Sequence, residues 1–200
     1  GIKVLLSGAG GDDLFSRYRR HLALRWYNLW RRAPRFAKDL ALGATSLLDR
    51  RRPLMRRLAK LSDTLVAYET EGLPAFFSWL QSSDVLALLA PQVRKSVLAE
   101  RLNAPMDEYL SLGSADDELS RLLALEQRFF LGDHNLIYTD KMSMAAGVEV
   151  RVPFLDLELE ELAYRLGSMQ RIRGMQGKWL LKEAMRPLLP RDVIFRKKTG

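Results

Sequence analysis

The sequence predicts an α/β fold that is mostly α-helical with one clear strand, and three observations lead there. The first is a short β-branched and aliphatic run, Ile2-Lys3-Val4-Leu5-Leu6, which reads as a buried strand. The second is the stretch Ser7-Gly8-Ala9-Gly10-Gly11-Asp12-Asp13, too rich in glycine for helix or strand, after which Leu14-Phe15 opens a helical pattern. Strand, glycine loop and helix make half of a βαβ unit. The third is that helical spacing dominates the rest of the chain, with no strand of equal quality for over a hundred residues.

The remaining elements follow in order. Leu22, Trp26, Leu29, Trp30 and Ala33 fall on one face of a helix, away from Arg25, Arg31 and Arg32, and Pro34 marks its end. Residues 54–65, 84–89, 92–102 and 116–131 carry the same periodicity. Asp140 and Lys141 sit at a helix end, and Met142-Ser143-Met144 reads as a polar turn whose two methionines pack around the candidate site. Residues 148–152, Val-Glu-Val-Arg-Val, alternate at period 2 between Gly147 and Pro153, a short strand or an extended loop. Asp156 is placed to cap a helix over 157–166, with Leu159, Leu162, Ala163 and Leu166 as its apolar stripe. A final helix over 178–186 offers Trp179, Leu181, Ala184 and Met185 to the core, before Pro187.

Composition narrows the function classes. The 200 residues are 48% hydrophobic and 28% charged, which excludes a disordered tail. The absence of cysteine removes disulfides, thiolate metal sites and a cysteine nucleophile, and it leans toward a reducing, cytoplasmic setting. Net charge is +8, but residues 17–60 hold 14 Lys/Arg against Asp39 and Asp49 alone, a local +12 that leaves −4 elsewhere. No apolar stretch nears the ~20 residues that cross a bilayer; 85–91 is among the longest. Membrane attachment through Arg50-Arg51-Arg52 and Arg56-Arg57 is a weaker reading than a solvated basic face. His21 and His134 are too isolated for a metal site and read as surface or satisfied polar residues.

A glycine loop after a strand lets the backbone approach phosphate closely. The dinucleotide pattern G-x-G-x-x-G fails at Asp13, and the P-loop pattern fails for want of a lysine. Two carboxylates at the mouth of such a loop repel bare polyphosphate, and they make sense if Mg²⁺ sits between. The other reading of Asp12 and Asp13 is that they cap a helix and complement its dipole. Further on, Glu149 and Arg151 point to one side of an extended segment, and Arg151 with Asp156 makes a candidate structural ion pair.

Four segments together resemble the synthetase domain of the glutamine-hydrolysing asparagine synthetases. Leu6-Ser7-Gly8-Ala9-Gly10-Gly11-Asp12-Asp13-Leu14-Phe15 is similar to that family's loop, which reads Leu-Ser-Gly-(Asp/Glu)-Gly-(Gly/Ser)-Asp-Glu-Leu-Phe. Asp140-Lys141-Met142-Ser143-Met144, followed by Glu149-Val150-Arg151-Val152-Pro153-Phe154-Leu155-Asp156, resembles its signature. Gly177-Lys178-Trp179-Leu180-Leu181-Lys182 and Arg196-Lys197-Lys198-Thr199-Gly200 resemble its lysine-bearing helix and a basic segment near the active site.

The resemblance implies an adenine-nucleotide alpha-hydrolase-like synthetase domain, partial over residues 1–200, with ATP and Mg²⁺ as its cofactors. Ser7, Gly8, Gly10 and Gly11 would contact ATP, and Asp12 would hold the metal. Asp13, where the family usually has Glu, would lie near the acyl substrate; Lys198 would neutralise charge as pyrophosphate leaves. Glu149 would act near the second half-reaction, or serve as a buried partner for Arg151. The implied reaction is adenylation of a carboxylate, aspartate by default, followed by attack of ammonia from a glutaminase domain of the same chain. The family's first ATP loop and that glutaminase domain are absent from these residues, so the segment alone is expected to be inactive. Ala9 in place of an acidic residue, and Ser16-Arg17 in place of Gly-Gly, leave the acid substrate open. The rival reading is a basic helical nucleic-acid-binding module, since Arg alternates with Tyr18, Trp26, Tyr27, Trp30 and Phe36.

Overall fold

The computed structural model describes residues 1–200 except 47, 48, 50, 79, 98–101, 114–116 and 197–200. In chain order the elements are β1 (Val4–Leu6), α1 (Gly11–Phe15), α2 (Arg19–Arg32), α3 (Arg35–Ser46), α4 (Pro53–Glu71), α5 (Ser82–Leu88), α6 (Pro91–Ser96) and α7 (Ala104–Leu112). Then come α8 (Glu118–Leu125), a π-helical segment Glu126–Leu136, α9 (Ile137–Ala145), β2 (Glu149–Arg151), α10 (Leu157–Tyr164), α11 (Ser168–Arg171), α12 (Trp179–Met185) and α13 (Arg191–Ile194). Single 3₁₀ turns lie at Leu73–Phe76 and Pro153–Leu155. The chain divides into two compact units, one of Gly1–Leu22 with Ala115–Gly200 and the other of Ala23–Ser114.

The first unit is built on a parallel strand pair. β1 and β2 align Val4 with Glu149, Leu5 with Val150 and Leu6 with Arg151. Within residues 148–152, Glu149–Arg151 resolves as a strand, because Glu149 N–H donates to Lys3 O and Ser7 N–H to Arg151 O, each at 2.8 Å. Parallel pairing needs a long crossover, and here it takes in everything from α1 to α9. The expectation of a buried strand is corrected: Val4, Leu5 and Leu6 are exposed, Leu6 by 74%, since a two-stranded sheet covers neither face of β1.

The core of this unit lies behind the loop. Leu14 and Phe15 of α1 pack with Ala163 of α10 and Leu166, and Phe154, Leu155, Leu159, Leu180 and Leu181 close around them. Asp156 caps α10, its carboxylate accepting from the N–H groups of Glu158 and Leu159 at 3.1 and 3.3 Å. Of the expected stripe, Leu162 stays exposed. In the last helix Trp179, Leu181 and Met185 are half-buried and Ala184 is exposed. Asp117 caps α8 in the same manner and also accepts from Ser120 and Ser168 hydroxyls, while buried Arg171 donates to Ser120 Oγ and Ala163 O.

Three local expectations change. Met142-Ser143-Met144 lie inside α9 rather than in a turn, and both methionines are exposed. The helix predicted over 116–131 keeps its α geometry only to Leu125 and then widens to the π-helical form. Arg151 pairs with Glu149, at 2.9 Å, not with Asp156; both partners are exposed, so Glu149 is not a buried counter-ion.

The second unit is all-helical among its described residues. The helix expected over 54–65 runs longer, as α4, with Pro53 at its first turn and Gly72 after its end at φ 66°. α3 and α4 run side by side, joined by Thr45 Oγ1 to Ser62 Oγ at 3.1 Å and Lys38 to Glu69 at 2.9 Å. Tyr27, Tyr68 and Phe76 stack edge-to-face at centroid separations of 4.2 and 5.2 Å. The stripe expected to be buried on α2 is corrected. Trp26 and Leu29 are 46% and 62% exposed, and the buried face is Ala23, Leu24 and Tyr27. Of the helix expected over 92–102, α6 accounts for Pro91–Ser96, and 98–101 lie outside the described residues.

Candidate functional site

The glycine loop leaves the C-terminal end of β1, where open α/β sheets bind their ligands. Its shape depends on glycine at Gly10 and is closely packed at Gly11. Gly10 has φ 85°, and a Cβ there would fall 2.4 Å from Leu155 Cδ2. A Cβ on Gly11 would meet Lys178 Nζ at 3.2 Å and the Phe154 ring at 3.3 Å. The loop is therefore laid directly on the Pro153–Leu155 turn that follows β2. Ser7 Oγ accepts from Ala9 N–H at 3.2 Å and Gly8 is open on its Cβ side. Neither aspartate caps α1, whose N-cap is Gly10 without a side-chain hydrogen bond.

The two aspartates part company one residue beyond the loop. Asp12 Oδ1 is paired with Lys178 Nζ at 2.6 Å, both side chains partly exposed. Asp13 is 2% exposed and turned inward rather than toward the loop mouth, where Tyr18 OH approaches its Oδ1 at 3.5 Å. Burial pushes the Asp13 carboxyl above the usual carboxylate range, and the Asp12 charge adds to this against a backbone hydrogen bond, Arg20 and Tyr18. Burial and the neighbouring aspartates likewise push the Tyr18 phenol up.

Behind Tyr18 lies a buried ionic cluster that sequence reasoning missed. Glu126, fully buried, takes a two-pronged interaction from Arg20, with the Nε contact at 2.8 Å. It also accepts from His21 Nε2 at 2.8 Å. The Arg20 guanidinium lies over the rings of Tyr18 and Phe130 at 4.8 and 4.7 Å. Burial above all, with the charges of Arg20 and Arg171, lowers His21 to about 3, so the ring is neutral at pH 7. His21 is thus an interior residue paired through Nε2, with Nδ1 buried and unpartnered, whereas His134 stacks on Phe130 at 5.5 Å. Periodicity alone could not reveal the cluster, because its members are over a hundred residues apart.

The structure brings Ser7, Gly8, Gly10, Gly11 and Asp12 together with Lys178, which the sequence reading left among the motif residues without a role. The signal was Gly177-Lys178: Gly177 approaches Ser16 so closely that a Cβ would sit 2.3 Å from its carbonyl oxygen, and Lys178 N–H donates to Phe15 O at 3.0 Å. Lys178 itself is left-handed, at φ 55°. Glu149 is on exposed β2 opposite Val4, at the far end of the strand pair from the loop. Lys198 lies outside the described residues.

Among the described residues no group of three or more His, Cys, Asp or Glu side chains is arranged to hold a metal. The donor set at the loop is the single carboxylate of Asp12. That suits Mg²⁺ bound mainly by phosphate oxygens and water, rather than an all-protein cage. Among the described residues no helix is long and apolar enough to cross a membrane.

The asparagine synthase family model matches residues 1–200. The chain belongs to the asparagine synthase family. It is 30% identical, over its whole length, to a putative glutamine-hydrolyzing asparagine synthetase of Mycobacterium tuberculosis strain H37Rv, covering 29% of that protein. It is 31% identical, over 66% of its length, to asparagine synthetase 3 of Bacillus subtilis, covering 23% of that relative. Asparagine synthetase 1 of the same organism is 25% identical over the whole chain, with 30% of it covered. The chain thus spans between about a quarter and three-tenths of the length of these relatives. No solved structure matches it at a significant level. For this family member the glycine loop, the 149–156 signature and the Gly177-Lys178 helix are three parts of one neighbourhood in the first unit.

Proposed function

We propose that this chain carries the loop side of an ATP-dependent ligase site that activates a carboxylate and converts it to an amide. The observation that carries the reading is the glycine loop at the end of a parallel strand pair, facing an Asp12–Lys178 pair that bridges α1 and the α12 lead-in. The open backbone at Ser7 and Gly8 supplies room for a nucleotide, and Gly10 and Gly11 hold the loop down on Phe154 and Leu155. In the proposed reaction the substrate carboxylate attacks the α-phosphorus of ATP, and the bond to the β-phosphate oxygen breaks. Pyrophosphate leaves and an acyl-adenylate forms; ammonia then attacks the acyl carbon, AMP departs and a proton is released.

Such transfer needs charge control rather than a protein nucleophile. Asp12 would hold Mg²⁺ together with phosphate oxygens, and when bound that ion would neutralise their charge. Lys178 then exchanges part of its contact with Asp12 for the phosphates, keeping a cation at the loop as charge builds up. Asp13 has an indirect part: enclosed under Tyr18, it anchors the first turn of α1 and so the height of Asp12. Lys198 would add a second cation, and Glu149 would act in the amide-forming half. Aspartate is the default acid and glutamine-derived ammonia the default nitrogen donor, by analogy with the names of the relatives.

The test is acid-dependent ATP–pyrophosphate exchange by the complete protein. Asp12→Asn is expected to lower exchange at least ~100-fold, the scale of removing one preorganised charge-stabilising group. Full exchange in a folded Asp12→Asn variant overturns the assignment.

A further inference from the structure

Three partly buried cations converge where the lead-in to α12 meets the exit of α1. The contact is fixed by backbone: Ser16 is left-handed at φ 61°, and a Cβ on Gly177 would come within 3.3 Å of Arg17 Cα. Lys178 follows at once, and Lys182 lies one helical turn on, its N–H donating to Lys178 O at 2.9 Å. Lys178 is the left-handed N-cap of α12 and Lys182 lies on the first turn, both close to the Arg17 backbone that Gly177 meets. Burial, then Arg17 and Lys178, lowers the Lys182 ammonium below its usual range.

The counter-charges do not balance. Asp12 serves Lys178, and Glu183 is taken by Arg186 at 2.9 Å. Among the described residues neither Arg17 nor Lys182 forms an ion pair with a carboxylate. Lys182 instead lies over the Phe195 ring at 5.6 Å, which Arg186 and Arg191 also approach at 5.7 and 5.9 Å. Half-buried like charges held together without counter-ions cost stability, and an anion in their midst reverses that cost.

We infer that Arg17 and Lys182, beside Lys178, form an oxyanion subsite for a multiply charged ligand, separate from the glycine-loop backbone. The inference rests on reading the neighbourhood as a site for ATP and an acid. Two sources share the required chemistry, the pyrophosphate end of the nucleotide and the carboxylates of an acidic substrate. A guanidinium and an ammonium at one spot offer a planar fork and a mobile point charge, a pairing suited to either.

The test is calorimetric titration of the complete protein with sodium pyrophosphate and, separately, with aspartate. Arg17→Gln, Lys182→Gln and the double variant are compared with the parent, with melting temperatures recorded to show that each is folded. Expected is a roughly tenfold weakening of one probe in each single variant and roughly a hundredfold in the double. Loss confined to pyrophosphate assigns the subsite to the nucleotide, and loss confined to aspartate assigns it to the acid; both outcomes support it. Unchanged affinity for both probes in the folded double variant overturns it, and so does a parent that binds neither. If pyrophosphate binding depends on Arg17 and Lys182 while the complete protein makes no adenylate from any acid, the ligase reading fails and the subsite stands.

Discussion

The two units handle charge in opposite ways. The unit of Gly1–Leu22 and Ala115–Gly200 holds 18 Lys/Arg against 15 Asp/Glu, close to balance, and sets several of them in buried or half-buried arrangements. Arg20, His21 and Glu126 are locked together, Asp12 meets Lys178, and Arg171 is tied to Ser120 and Ala163. The unit of Ala23–Ser114 holds 14 Lys/Arg against 9 Asp/Glu and leaves Arg51, Arg52, Arg56 and Arg57 exposed. The lesson is that net charge located the less informative region. The residues with functional geometry lie where charge nearly cancels, because a site needs fixed pairs and a solvated face does not.

The largest expected effect comes from breaking the buried cluster. Glu126→Ala removes the buried carboxylate that Arg20 and His21 share and is expected to cost about 3–5 kcal/mol in urea unfolding. A cost under about 1 kcal/mol would mean that the cluster is no more than a surface pair. Next is the close approach of α12. Gly177→Ala puts a methyl into the Ser16 carbonyl and is expected to cost about 2–3 kcal/mol, with weakened ATP binding as Lys178 is pushed from Asp12. Unaltered stability and nucleotide affinity would separate that contact from the site.

Somewhat smaller is the acid response of His21. Its folded value of about 3 lies below the ordinary imidazole 6.5. Between those values the unfolded chain takes up a proton that the folded chain refuses. Stability contributed by the neutral ring is therefore whole above pH 6.5 and declines as the pH falls, by about 2 kcal/mol between pH 6.5 and pH 5. Denaturation midpoints of the parent and His21→Gln across that range should show this steeper fall in the parent; parallel curves would contradict it. The smallest effect belongs to the second unit. Arg56→Ser with Arg57→Ser is expected to move stability by less than about 0.5 kcal/mol and ATP–pyrophosphate exchange by less than about twofold. A larger loss of exchange would give the basic face a part in the reaction and erase the contrast between the units.

Much of the site's local chemistry was legible because it is written in contiguous residues. Gly10 announces a left-handed backbone that favours glycine, and Asp156 announces the start of α10 by its place before an apolar period. The α2 stripe failed because Trp26 and Leu29 satisfy a helical pattern on a face that the fold leaves exposed. Amphipathic spacing identifies an apolar face and does not supply its cover. β1 failed for the same reason, its aliphatic run being real and its covering layer missing from the sheet.

By itself, then, the sequence determined the strand–loop–helix unit, the helical character of the rest and the family to which the motifs belong. These depend on local backbone freedom and short-range periodicity. Only the tertiary structure decided that Asp12 faces Lys178 while Asp13 is enclosed under Tyr18, that Glu149 stands at the far end of the strand pair, and that Arg17 and Lys182 share a corner. Adjacent aspartates have the same intrinsic chemistry. What separates them is contact with residues over a hundred positions away for Asp12 and, for Asp13, removal from water into the interior, neither of which local sequence encodes.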